Sequence, residues 1–203
     1  MKEFWNERFG RNDYVYGASP NEYFKKKIAG LAAGRILFPC EGEGRNSVYA
    51  ASLGWEAEAF DQSEAGKKKA EALAQKSGVR ICYTVADAEE IEYPAGHFDA
   101  IALIYSHFPE EKRKAYHRKL CSFLKKGGYL ILEGFGKRQT EYQKANPNAG
   151  GPRDTGMLLN LEELRDDFAG FDMTDACETE AILNEGEFHQ GESFVVRIFG
   201  VKR

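Results

Sequence analysis

No uninterrupted apolar stretch of the roughly 18 residues that a membrane helix needs occurs in the 203-residue chain. The opening "MKEFWNERFG" mixes acids with apolar side chains and lacks the apolar core of a signal peptide, so a cytoplasmic location is expected. Cysteine is scarce. Cys40, Cys82, Cys121 and Cys177 are widely spaced and form no CxxC pair, which speaks against a zinc site or a disulfide framework and for reduced thiols. His97, His107, His117 and His189 show no ligand-like pairing with them, so no metal is expected. An excess of basic residues is also missing. With 28 Lys and Arg against 32 Asp and Glu, the net charge of -4 disfavours a chain that grips nucleic-acid phosphates, and the Lys67–Lys69 run reads as a solvated helix face. No internal repeat is visible.

What is present suits one domain spanning residues 1–203, with 42% hydrophobic residues to fill a single core. From residue 35 short apolar runs alternate with helical periodicity, the pattern of a parallel sheet covered by helices on both sides. "RILF" (35–38) is a first strand, followed by a helix over 47–53. "EAEAF" (56–60) is a second strand ending at Asp61, followed by a lysine-faced helix over 63–77. Val79, Ile81, Tyr83 and Val85 alternate as a third strand that runs to Asp87. "FDAIALIY" (98–105) is continuously apolar and fits a central strand buried on both faces. A helix with Tyr116, Leu120, Phe123 and Leu124 inward precedes a Gly127-Gly128 break and a fifth strand, "YLILEGF". Residues 136–158 read as a long loop, and 161–168 as a short helix. The last two strands, 171–183 and 192–201, have only the turn chemistry "NEGEFHQG" between them. They must therefore pair antiparallel, because a parallel neighbour needs a crossover of a dozen or more residues.

In an open parallel sheet the ligand crevice lies beyond the carboxyl ends of the strands. The Gly42/Gly44 turn follows strand one, Asp61 follows strand two, Asp87 follows strand three, and Tyr105 to His107 follow strand four. An acid after strand two is placed for ribose hydroxyls, and one after strand three for an exocyclic adenine amino group. A nucleoside fits. A pyrophosphate does not, since Glu41 and Glu43 flank the turn and Ser47 stands where a dinucleotide fingerprint wants glycine or alanine. S-adenosylmethionine, which carries a cation and no phosphate, suits the acidic turn.

The stretches "ILFPCEGEGRNSVYAASLGWEAEAFDQS", "ADAEE", "FDAIALIYSHFP" and "LKKGGYLILEGF" resemble class I S-adenosylmethionine-dependent methyltransferases, nearest to the tellurite-resistance and thiopurine methyltransferase-like group. The resemblance implies an α/β, Rossmann-like three-layer sandwich whose seven-stranded, mostly parallel sheet carries an antiparallel C-terminal hairpin strand. It implies S-adenosyl-L-methionine as cofactor, S-adenosyl-L-homocysteine as product, and a cofactor set of Cys40, Glu41, Gly42, Gly44, Asn46, Asp61, Gln62, Ala86, Asp87, Ala88 and Tyr105. The aromatic segment within residues 1–30 resembles a cover over the cofactor, with Trp5 and Tyr16 facing it. The family's strand-end acid and first turn glycine fall on Phe38 and Cys40, which makes Glu41 the leading partner for the methionine amino group.

The expected acceptor is a small molecule, a thiol or chalcogen oxyanion among the options, and the expected assembly is a monomer or homodimer with neither nucleic acid nor membrane as partner. His107 is the candidate base, with Tyr14 and Arg153 beside it, and the 136–158 loop is a second flexible cover. Two other readings remain open on the same residues: an NAD-dependent oxidoreductase, and a non-catalytic S-adenosylmethionine-binding module.

Overall fold

The computed structural model describes residues 2–203; Met1 lies outside them. Strands β1 (Arg35–Pro39), β2 (Glu56–Asp61), β3 (Cys82–Val85), β4 (Phe98–Ile104), β5 (Leu124–Phe135), β6 (Phe171–Asn184) and β7 (Gln190–Lys202) form one sheet in the order β3-β2-β1-β4-β5-β7-β6. The first five are parallel. β7 pairs antiparallel with β5, and β6 antiparallel with β7, as the absence of a helix between the last two requires.

The period of two in a strand explains how the layers divide. In β1, Leu37 faces one side with Ile101, Leu103, Leu130 and Leu132, against α5 (Glu110–Ser122) and α7 (Leu161–Asp167). Ile36 and Phe38 face the other side with Ala100, Ala102 and Ile131, against α2 (Glu22–Ile28), α3 (Arg45–Ser52) and α4 (Glu64–Lys76). β4 supplies both cores, which is why its sequence shows no polar alternation.

Three expectations change. The N-terminal segment, which the sequence marks only as aromatic, is helical: it contains α1 (Lys2–Phe9) and α2, the latter capped by the Asn21 side chain accepting from Phe24 N at 2.9 Å. The 136–158 stretch is not a structureless loop either. It holds α6 (Gln139–Ala145) and a short 3-10 turn at Thr155–Met157, and the Gln139 side-chain amide ties down Ala149 O at 2.9 Å while that of Gln143 ties down Gly150 O at 2.8 Å. β5 begins at Leu124, so the Gly127-Gly128 pair lies within the strand, at a register shift between Phe98 and Ala100 on its neighbour. No helix is long and apolar enough to cross a membrane among the described residues.

Candidate active site

The carboxyl ends of β1 to β5 open into a cavity of about 700 Å³, within the roughly 300–1,000 Å³ range of small-molecule sites. Its floor is the turn after β1. Cys40, Gly42 and Gly44 have φ of 54°, 63° and 87°. Cys40 thus stands in a backbone conformation that glycine adopts without strain and that costs an L side chain on the order of 1–2 kcal/mol. Burial pushes its thiol well up, so the sulfur is inert.

Glu41 decides what this turn can hold. Its Oε1 accepts from Asn46 N at 2.9 Å and Ser47 N at 2.7 Å, free amides in the first turn of α3. Those are the donors a pyrophosphate would need, and here a carboxylate of the chain already occupies them. Burial raises the Glu41 pKa to about 7 against these hydrogen bonds. Asp61, buried and raised by desolvation to about 6, accepts from Gly42 N at 3.1 Å and from Ser63 N at 2.9 Å, so it closes the turn onto β2 while lining the cavity. Asp87 takes the Gln62 side-chain amide and the Glu89 N–H. Ala86 and Ala88 flank it on the cavity wall.

Cys40, Glu41, Gly42, Asn46, Asp61, Gln62, Ala86, Asp87, Ala88, Tyr105, Trp5, Tyr16, His107 and Arg153 all line the cavity. Gly44 does not. A Cβ there would meet the Ala70 Cβ at 2.5 Å, so this glycine serves the crossing of the turn over α4. Tyr14 is also outside, its hydroxyl donating to Lys69 O of α4 at 3.0 Å. His107 lines the cavity, but its Nδ1 donates to Met157 O at 2.8 Å and its Nε2 accepts from Phe135 N at 3.2 Å, so both nitrogens are engaged with backbone. The ring pins the 3-10 turn to β5 and has no lone pair for an acceptor. Arg153 donates to Pro147 O at 3.1 Å from an exposed position and orients nothing in the cavity.

The roof comes from three places. Trp5 stacks on Phe9 at 5.2 Å, Tyr16 accepts from Arg8 Nη1 at 2.8 Å, and the Arg8 guanidinium lies 4.5 Å over Phe188 of the β6–β7 turn. That turn was not expected at the site. It brings Glu185 and His189 to the cavity rim, where the Arg45 guanidinium meets Glu185 Oε2 at 2.9 Å and the His189 ring lies 4.5 Å from Tyr16 and 4.4 Å from Tyr105. Below them Glu133, 1% exposed, accepts from the Tyr105 hydroxyl at 2.9 Å and the Asn21 side-chain amide at 2.6 Å, and pairs with Arg197. The sequence carried one signal for the pair on the turn, an acid and a histidine four residues apart, hidden among turn residues. Among the described residues no group of three His, Cys, Asp or Glu side chains is placed to hold a metal.

Residues 36–128 match the model of a methyltransferase domain. No curated protein sequence is similar enough to be matched to the chain. Solved structures are similar over its length. One, described for the conversion of a disulfide bond into a thioacetal group during echinomycin biosynthesis, has a TM-score of 0.81 at 18% identity, covering 100% of this chain and 91% of that one. TehB from Haemophilus influenzae has a TM-score of 0.71 at 13% identity, covering 100% of this chain and 67% of the other. Magnesium protoporphyrin IX methyltransferase from Synechocystis, solved with bound S-adenosylhomocysteine, has a TM-score of 0.67 at 16% identity, over 100% and 83% of the two chains.

Proposed function

We propose that this chain is an S-adenosylmethionine-dependent methyltransferase, a reading supported by the methyltransferase-domain match over residues 36–128, and that it methylates a small, largely apolar molecule in the aromatic cavity above the β1 turn. One observation carries the reading: a cavity of about 700 Å³ with an acidic floor and a roof of Trp5, Tyr16 and Phe188. Such a space suits a small acceptor beside the cofactor, and its aromatic roof favours a flat neutral compound. The tellurite-resistance and thiopurine methyltransferase-like subgroup keeps its support in the turn sequence and in the aromatic N-terminal cover. A chalcogen oxyanion finds little in the roof: Arg45 is paired with Glu185, and Arg8 is stacked on rings.

The residues fit the cofactor. Glu41 would take the methionine amino group, Asp61 the ribose hydroxyls, and Asp87 with Gln62 the adenine edge. When bound, S-adenosylmethionine supplies a methyl group already activated by its sulfonium. What the chain adds is position and the exclusion of water, since acceptor and donor must meet within about 3–3.5 Å in line. The roof of aromatic faces keeps the transfer dry and favours positive charge beneath it.

The reading is tested by thermal denaturation with S-adenosylhomocysteine and, separately, NAD. At a hundredfold excess over its dissociation constant the first is expected to add about 2.7 kcal/mol of stability. A melting temperature raised by NAD and unmoved by S-adenosylhomocysteine overturns it.

Glu41 gives binding a pH dependence. Its pKa in the free protein is raised to about 7, and an ammonium placed against it favours the charged form and lowers that value. The complex then binds fewer protons than the free protein, so binding releases a proton near pH 6–7 and affinity rises with pH until about 7, then levels. Calorimetry in two buffers of different ionisation enthalpy should show the release, and Glu41→Gln should abolish the part above pH 6. Equal heats in both buffers for the parent protein would place the amino group elsewhere.

A further inference from the structure

We propose, resting on the methyltransferase reading, that His189 is the general base of the transfer with Glu185 as its positioning residue, and that the acceptor carries a hydroxyl group on a flat, uncharged frame. The four histidines divide cleanly. His107 has both nitrogens on backbone atoms. His117 is sealed between α5 and α7, its Nδ1 on Asp167 at 2.8 Å and its Nε2 buried without a partner. His97 precedes β4, at the opposite end of the sheet from the crevice, and faces Glu58. His189 alone lines the cavity with a nitrogen to spare: Nδ1 donates to Glu185 Oε2 at 3.2 Å, and among the described residues Nε2 has no hydrogen-bond partner.

Glu185 is built to hold that tautomer. The same Oε2 receives Arg45 Nη2 at 2.9 Å, and Oε1 receives the Asn21 side-chain amide at 3.0 Å. Burial alone would raise its pKa, but the His189 hydrogen bond and the Arg45 charge outweigh it and hold the carboxyl at about 2. An anion fixed on Nδ1 leaves Nε2 with its lone pair, and it steadies the imidazolium once formed. Burial keeps the free ring neutral, with a pKa of about 4. The charged and titratable groups that face it are Glu185 on the hairpin turn, Arg45 on α3, Arg8 and Tyr16 on the N-terminal segment, and Tyr105 at the end of β4.

The need for a base identifies the acceptor class. A thiol loses its proton readily near neutral pH, whereas a phenolic hydroxyl, with a pKa of about 10, does not. In the step, the acceptor O–H bond breaks and its proton goes to His189 Nε2, while the oxygen takes the methyl group as the sulfur–methyl bond breaks. The positive charge passes from sulfonium to imidazolium, next to Glu185, and the proton leaves to water when the cavity opens. Tyr16, Tyr105 and Phe135, with ring centroids 4.5, 4.4 and 5.1 Å from the imidazole, make the cavity wall around it aromatic, a lining that favours a planar apolar ligand.

The test uses the full chain. Long-range proton–nitrogen spectra of histidine-labelled protein, with His189→Gln assigning the signal, are expected to show His189 neutral and protonated on Nδ1 from pH 8 to 5.5, and Glu185→Gln is expected to mix the tautomers. With catechol as probe, His189→Gln should lower kcat by about 10²–10⁴. With thiophenol the loss should stay below tenfold, and S-adenosylhomocysteine affinity by calorimetry should hold within twofold. A ring protonated on Nε2, an equal loss with both probes, or a parent enzyme that methylates thiophenol and not catechol overturns the proposal. A parent protein that fails to bind S-adenosylhomocysteine instead sinks the methyltransferase reading beneath it.

Discussion

Replacing Gly44 with alanine is expected to lower the melting temperature by about 5–15 °C, at about 2–4 °C per kcal/mol for a chain of this size. Two costs combine. The residue has φ of 87°, where an L side chain costs on the order of 1–2 kcal/mol. The new Cβ would also stand 2.5 Å from the Ala70 Cβ and 2.7 Å from its Cα, and the backbone of α4 cannot yield as a side chain would, which adds about 1–3 kcal/mol of overpacking. Gly54 supplies the control. Its φ is 89°, and nothing lies within 4 Å of the Cβ position, so Gly54→Ala pays the conformational cost alone. The difference between the two melting temperatures measures the close approach of the turn to α4. A Gly44→Ala protein as stable as Gly54→Ala would show that the approach costs nothing.

Glu133→Ala is expected to cost about 3–5 kcal/mol, the range for breaking a buried ion pair on one side. The carboxylate sits at the carboxyl end of β5, where Arg197 of β7 meets one oxygen while the Tyr105 hydroxyl and the Asn21 side-chain amide donate to the other. Its removal strands a half-buried guanidinium and leaves Asn21 with Glu185 as its remaining acidic partner. Asn21 also accepts the Phe24 amide in the first turn of α2 and donates its own N–H to Asn46 at 2.9 Å, so it joins the N-terminal segment to the helix that follows the β1 turn. Faster hydrogen exchange over residues 14–24 should accompany the loss of stability. Urea denaturation gives the magnitude; a change below 1 kcal/mol would mean that Arg197 and Asn21 find water or other partners at no expense.

The sheet was legible because it rests on periodicity. Leu37 and Ile36 point to opposite cores by the geometry of a strand, and the turn residues between Asn184 and Gln190 forced the antiparallel hairpin. The glycine turn was legible too, since a strand followed by Gly42, Gly44 and a helix allows few backbone paths, whereas the Lys69 ammonium that meets Glu43 at 2.7 Å was not. Helices α1, α2 and α6 were missed because their apolar faces are short and their stability comes from the surfaces they cover.

The choice between histidines lay beyond the sequence. His107 spends both ring nitrogens on Met157 O and Phe135 N, and backbone atoms are the same at every position. The proposal for His189 rests on Glu185, which meets both its Nδ1 and Arg45, 140 residues away in the chain. Tyr14 and Tyr16, two residues apart and alike in composition, part ways because one turns to α4 and the other to the cavity. Local pattern therefore decided which strands form and where the floor of the site turns, through steric terms that act over a few residues. The tertiary structure alone decided which polar atoms remain unpaired above that floor, because pairing is settled only when distant segments meet.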